Sequence, residues 1–195
     1  MTSLDEILAF PADMAGRVKQ VLLMLAPGQM HPPAGPVISI RAAEQFLDIP
    51  YRVYYDRQRV LAAIESGGDS ALISACLGTR HYDGFLRELC LRRLLTADES
   101  WIAPFIIQLL GEYVPEIAQL IHERYAGGVE TQHLDFFRQN TGHCHYLEQR
   151  AISYWNANYR FRFPRHADYP AVRAFAALKK AAARQHHTTS DSPIA

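Results

Sequence analysis

Residues 84–126 read GFLRELCLRRLLTADESWIAPFIIQLLGEYVPEIAQLIHERYA. From Ile102 onward an apolar stripe takes in Phe105, Ile106, Leu109, Leu110, Tyr113, Val114, Ile117, Leu120 and Ile121. Steps of three, four and one draw a single stripe at the helical period. Gln108, Glu112, Glu116, Gln119 and Glu123 fall on the opposite side. The pattern predicts one long helix, buried along one face and wet along the other. Pro104 sits in its first turn, where a missing N–H is harmless, whereas Pro115 is internal. Gly111 stands where the Pro115 ring would crowd a carbonyl, and the stripe keeps its phase across both, so a kink over residues 111–115 is expected rather than a break.

The preceding residues 85–95 predict a second helix that buries Phe85, Leu86, Leu89, Cys90 and Leu94. Asp83 is its N-cap, and Arg92 and Arg93 complement the negative end of its dipole. The connection over residues 96–100 is short enough to force an antiparallel pair. Trp101 at the turn reads as the plug between the two helices, a site whose emptying would cost about 3–5 kcal/mol.

This helix pair, with its Trp101, Pro104 and Phe105 entry and its proline in the second helix, resembles HEAT-type α-solenoids. The string WIAPFIIQLLGEYVPEI also resembles a motif of a bacterial protein family to which no activity is attached. The resemblance covers residues 84–123 and implies an all-α fold of antiparallel helical hairpins, stacked as a short HEAT-like solenoid. No catalytic residues come with it. Helix, short turn, helix recurs along the chain without a regular sequence repeat, so an irregular helical bundle stays open beside the stack.

The chain has 195 residues, enough for one ordinary core, and 20 basic residues balance 20 acidic ones. A net charge of zero argues against nucleic-acid binding that relies on overall charge. Cys76, Cys90 and Cys144 are an odd number without metal-type spacing. They read as buried free thiols in a reducing compartment. The longest apolar run near the start, VLLMLA at 21–26, is too short to span a membrane. Asp5 and Glu6 precede it and no cationic segment opens the chain, which argues against a signal peptide. The expectation is a cytoplasmic protein with no membrane contact and no cofactor.

Residues 1–26 predict two helices, the first opened by a Ser3/Glu6 capping box and ended by Pro11. Residues 27–36, PGQMHPPAGP, read as an irregular surface linker. The main helical domain is expected over 37–185. Within it, IRAAEQFL reads as helix, and residues 49–55 as an extended piece with no strand to pair with. Asp56 caps a helix that Gly67 and Gly68 stop. The tail over 186–195 lacks an apolar period and reads as disordered.

Four constellations carry candidate chemistry. The loop GTRHYDG over 78–84 presents Arg80, His81 and Tyr82, either as a recognition surface or as solvated residues beside a cap. Glu112 and Glu116, one turn apart, either make an acidic groove for a basic partner or are solvated. NYRFRFPRH over 158–166 interleaves Tyr159, Phe161 and Phe163 with Arg160, Arg162 and Arg165. It suits a protein hot spot or single-stranded RNA, or else a helix end whose aromatics fold back on the core. His133, His143, Cys144 and His145 are zinc-type ligands, but His143 and His145 diverge on a helix, so no metal is favoured. No nucleophile motif is present.

The function expected from this reading is a non-enzymatic protein–protein interaction module, with Arg80, His81, Tyr82, Glu112, Glu116, Tyr159, Arg160, Phe161, Arg162 and Arg165 as contact residues. A small bacterial toxin-immunity protein is one concrete form, by analogy of size and fold. Two alternatives remain: a metal-binding protein or enzyme using His133, His143 and His145, and RNA binding through residues 159–165.

Overall fold

A computed structural model describes residues 4–42 and 44–190. Helix accounts for 67% of it, against one small two-stranded sheet, so the fold is mainly helical. The chain forms two compact units, Met1–Ile106 and Ile107–Ala195.

In the first unit, short helical turns at Leu4–Ala9 and Ala12–Met14 lead into α1 (Ala15–Leu25). Ser3 of the expected capping box lies outside the described residues; Glu6 is buried and accepts a hydrogen bond from the Tyr55 hydroxyl. Helices α2 (Arg57–Glu65), α3 (Gly68–Gly78) and α4 (Gly84–Leu94) pack in succession, and α1 lies against α2 and α3. Asp56 and Asp83 cap α2 and α4 by accepting from the N–H groups of Arg59 and Phe85. Helix α3 is at the centre, with every residue over 71–78 buried. Its ALISACLG sequence is small enough for neighbours to approach on all sides.

The expected helix within 37–47 is instead a β-hairpin. Strands β1 (Ile38–Ala42) and β2 (Gln45–Ile49) pair antiparallel, with Ile40 opposite Leu47 and Ile38 opposite Ile49. Ile40, Leu47 and Ile49 are buried while Arg41 and Phe46 face out, the period-two alternation of a half-buried strand. The helix-forming residues between the strands are few and local, and burying the isoleucine edge outweighs them.

The proline-rich segment is held by backbone pairing. Ala34 and Arg52 exchange N–H···O bonds at 3.0 and 3.1 Å, and the Met30 N–H donates to the Tyr54 carbonyl at 3.0 Å. Gly35 has φ +87°, and a Cβ there would meet the Tyr51 ring at 2.7 Å, so only glycine fits the turn. On its other side the 52–54 segment bridges residue 81 through Val53.

The long second helix of the central pair is broken, not kinked. Helix α5 (Ala103–Gln108) gives way to a 3₁₀ turn, Leu109–Gly111. Glu112 and Val114 are extended, and α6 (Pro115–Ala126) starts with Pro115 in its first turn. A proline disfavours helical geometry in the residue before it, and Val114 is β-branched as well. At a helix start Pro115 loses no hydrogen bond, so restarting costs less than bending.

Phe85 and Leu89, expected inside, are exposed; Leu86, Cys90 and Leu94 are buried as expected. Trp101 is half-buried and meets Phe10 edge-on at 5.8 Å, while Phe10 stacks on Phe105 at 5.2 Å. The indole rests on the N-terminal segment rather than plugging a helix pair. Trp101→Ala is therefore expected to cost about 1–2 kcal/mol, the range of a partly buried contact, read from urea denaturation.

In the second unit, α6, α7 (Thr131–Gln139) and α8 (Thr141–Tyr154) all pack against α9 (Pro170–Ser190). Ile117, Ile121, Leu134, Leu147, Phe175 and Leu178 fill the core. Helix α9 continues to Ser190, past the end of its apolar period; residues 191–195 lie outside the described residues.

Candidate functional site

The arginine–aromatic segment leaves α8 through a π-helical turn, Trp155–Tyr159. Such turns widen a helix by one residue and redirect its end. Here the redirected chain is tied down at several points. The Trp155 indole N–H donates to the Phe163 carbonyl at 2.7 Å, and the Phe163 N–H donates to the Tyr159 carbonyl at 2.8 Å. The Tyr159 hydroxyl donates to the Tyr113 carbonyl at 2.5 Å, and its ring stacks on Tyr169 at 5.6 Å. Phe163 meets the same Tyr169 edge-on.

Charges complete the clamp. Arg162 pairs with Glu116 at 2.6 Å, and Arg165 grips Asp168 through two bonds at 2.8 and 3.0 Å. Arg160 lies over the Trp155 ring at 5.6 Å. Phe161 is left at the apex with its side chain fully in solvent, 102% exposed. The outcome is mixed. Tyr159 and Phe163 fold back onto the unit, whereas Phe161, Arg160, Arg162 and Arg165 form an outward surface. Burial, followed by the charge of Glu116, raises the Tyr159 phenol pKa, so its hydroxyl stays a donor.

Glu116 and Arg162, expected to contact a partner separately, are each other's partner. The hydrogen bond from Arg162 holds the Glu116 carboxyl below its ordinary 4.5, against partial burial. A depressed carboxyl contributes its anchoring above pH 4.5 and loses it as pH falls through the lower folded value. An acid titration of Trp155 emission in a Trp101→Phe chain should show a step below pH 4.5 that Glu116→Gln abolishes. An identical step in the glutamine variant would show that the pair does not hold the loop.

Glu112 is buried at 2% exposure, not on a wet helix face, because the chain is extended there. The paired acidic groove of Glu112 and Glu116 is therefore not formed.

The loop over 78–84 is also placed differently from expectation. Arg80 and His81 are fully buried. Arg80 donates to the carbonyls of Pro50 and Tyr51 at 3.3 and 3.0 Å. His81 Nε2 lies 2.9 Å from the Tyr55 carbonyl, and Nδ1 accepts from the Asp83 N–H at 3.1 Å. That pair of bonds suits the neutral Nε2–H tautomer, and burial pushes the His81 pKa down. Only Tyr82 of the three reaches the surface, stacked on Tyr54 at 5.6 Å.

The histidines do not converge. His133 is buried beside Tyr125 with Nδ1 3.4 Å from Glu130, and burial, then Arg124, lowers its pKa to about 4. His143 Nε2 lies 2.8 Å from Gln108 Oε1, and His145 is exposed. Burial pushes the Cys144 thiol up to about 12, Cys90 likewise to about 12, and Cys76 well above its usual value. Among the described residues no three His, Cys, Asp or Glu side chains are grouped to hold a metal ion. Among them, too, no helix is long and apolar enough to cross a membrane.

The clamping role of Trp155 was missed in the sequence, although its spacing of four from Tyr159 puts both on neighbouring turns. No protein-family model, curated protein or solved structure matches this chain.

Proposed function

We propose that this chain is a non-enzymatic protein-binding module whose main anchor is Phe161. The observation that carries this reading is a fully exposed phenylalanine on a loop tied at both ends. Leaving an aromatic ring in water is unfavourable by itself, and ordering a loop costs entropy on binding. A loop already held by Trp155, Tyr159 and Arg162 meets that cost in advance. Aromatic and arginine side chains also dominate binding hot spots. The partner surface that fits is an apolar pocket with an acidic rim, facing Phe161, Arg160 and Arg165.

A toxin held by an immunity protein is one form such a partner takes, and it belongs to this proposal by analogy alone. So does the HEAT-like arrangement, which the consecutive packing of α2, α3 and α4 supports and the break before Pro115 limits.

The test is native mass spectrometry of the tagged chain purified from its own host. A stoichiometric second protein is expected with the wild-type chain and is lost in Phe161→Ala, with an unchanged melting temperature. Truncating a central aromatic anchor should weaken affinity by about 30-fold or more. Retention of the same partner by Phe161→Ala would refute the site. Co-purifying RNA, with affinity falling steeply as salt rises, would move the function to nucleic acid.

A further inference from the structure

Helix α8 carries Tyr146, Arg150 and Tyr154 at steps of four, which puts them on one side of the helix. Its other side buries Leu147, Ala151 and Cys144 in the core of the second unit. The Arg150 guanidinium lies 5.8 Å from the centroids of both tyrosine rings and donates to the Tyr154 hydroxyl at 3.2 Å. The cation is thereby held in place between two aromatic flanks. Tyr146 stands 56% exposed. Beyond Tyr154 this ridge continues along two lines. The Tyr154 ring meets Tyr113 edge-on at 6.1 Å, and the Tyr113 carbonyl accepts from the Tyr159 hydroxyl that ties down the Phe161 loop. Trp155 follows Tyr154 in the chain and has Arg160 over its ring. The ridge is therefore continuous with the Phe161 anchor.

Its charge has one sign. Residues 141–166 hold four arginines and a single acid, Glu148. Glu148 lies on the opposite side of α8, buried, with both carboxylate oxygens accepting from Lys179, so it does not neutralise the ridge. We propose that the ridge receives an acidic segment of the protein partner, whose carboxylates accept from Arg150 and Arg160 while its aliphatic stems cover the Tyr146 and Tyr154 rings. The proposal rests on the protein-binding reading of Phe161 and gives the same partner a second, charged contact. Guanidinium groups held against aromatic rings are pre-ordered donors, and a carboxylate matches their fork geometry. The Tyr154 hydroxyl, which accepts from Arg150, keeps its own proton to donate. Nucleic acid fits less well. Bases stack on open aromatic faces, and Arg150 and Arg160 already cover a face of Tyr146, Tyr154 and Trp155.

The test is titration of the full chain with a short peptide of alternating glutamate and alanine, followed by Trp155 emission in a Trp101→Phe chain. Saturable binding is expected, weaker as salt rises and about tenfold weaker in Arg150→Gln/Arg160→Gln. Tyr146→Ala, at an exposed position where the fold is retained, should weaken it about threefold. Lys19→Gln, which removes an exposed cation of the first unit, should leave binding unchanged. The peptide brings no pocket for Phe161, so its titration reads the ridge, whereas loss of the host partner in Phe161→Ala reads the anchor. Either can fail while the other holds. The proposal is overturned if the peptide gives no saturable signal to about 1 mM, or if the arginine or the tyrosine variant binds it unchanged. It is equally overturned if Lys19→Gln weakens binding as much as they do, or if oligouridylate binds more tightly than the peptide and competes for the same residues.

Discussion

Replacing Arg80 by alanine is expected to lower the stability of the first unit by about 3–5 kcal/mol, the scale seen when a large, fully buried side chain is truncated to alanine. Arg80 is among the largest fully buried side chains of the chain. Its guanidinium donates to the carbonyls of Pro50 and Tyr51, and its own carbonyl accepts from the Val53 N–H at 3.0 Å. The side chain thus fixes the extended 50–53 segment against the end of α3. That segment in turn pairs with the proline-rich stretch through Ala34 and Arg52. Alanine would remove a large volume and leave the buried Pro50 carbonyl without its charged donor, worth about 1–3 kcal/mol, whereas the Tyr51 carbonyl keeps a bond from Arg52. Arg80→Met should keep the packing and lose only the polar part, so it should fall between wild type and alanine. Urea unfolding followed by Trp101 emission in a Trp155→Phe background reads the first unit alone. A loss within about half a kcal/mol would mean that Arg80 is at the surface.

Gly78→Ala is expected to destabilise the same unit by about 1–3 kcal/mol through overpacking. A Cβ at residue 78 would sit 2.2 Å from the Cys90 sulfur and 3.2 Å from a Val60 methyl. Gly78 ends α3, and Cys90 lies on the buried face of α4, so the glycine sets how closely these two helices approach. Trimming the sulfur should relieve the clash. The double variant Gly78→Ala/Cys90→Ala is therefore expected to lose less than the sum of its single losses, by about 1 kcal/mol or more, the coupling expected of residues in contact. Simple additivity would place the two helices further apart than described.

Some of the molecule was legible because the signal is local. The caps at Asp56 and Asp83 act within a few residues of themselves, and both form. The arginine–aromatic segment was also visible, although the sequence did not say which of its rings would face out. That division depends on Tyr113, Glu116 and Tyr169, which the segment meets only after folding. The hairpin at 38–49 was missed because its alternation is only a few residues long on each strand. A run of alanine and glutamate between them carried the opposite propensity.

By itself the sequence determined a mainly helical chain, its breakers, two caps and a segment rich in arginine and aromatic residues. Each of those follows from side-chain chemistry at short range. Only the tertiary structure decided that Arg80, His81 and Glu112 are buried. For Arg80 and His81 the partners are main-chain carbonyls tens of residues away, and a carbonyl leaves no mark in the sequence. It also decided that the helix restarts at Pro115, since kink and break share one apolar stripe and differ only in what the neighbouring helices pack against.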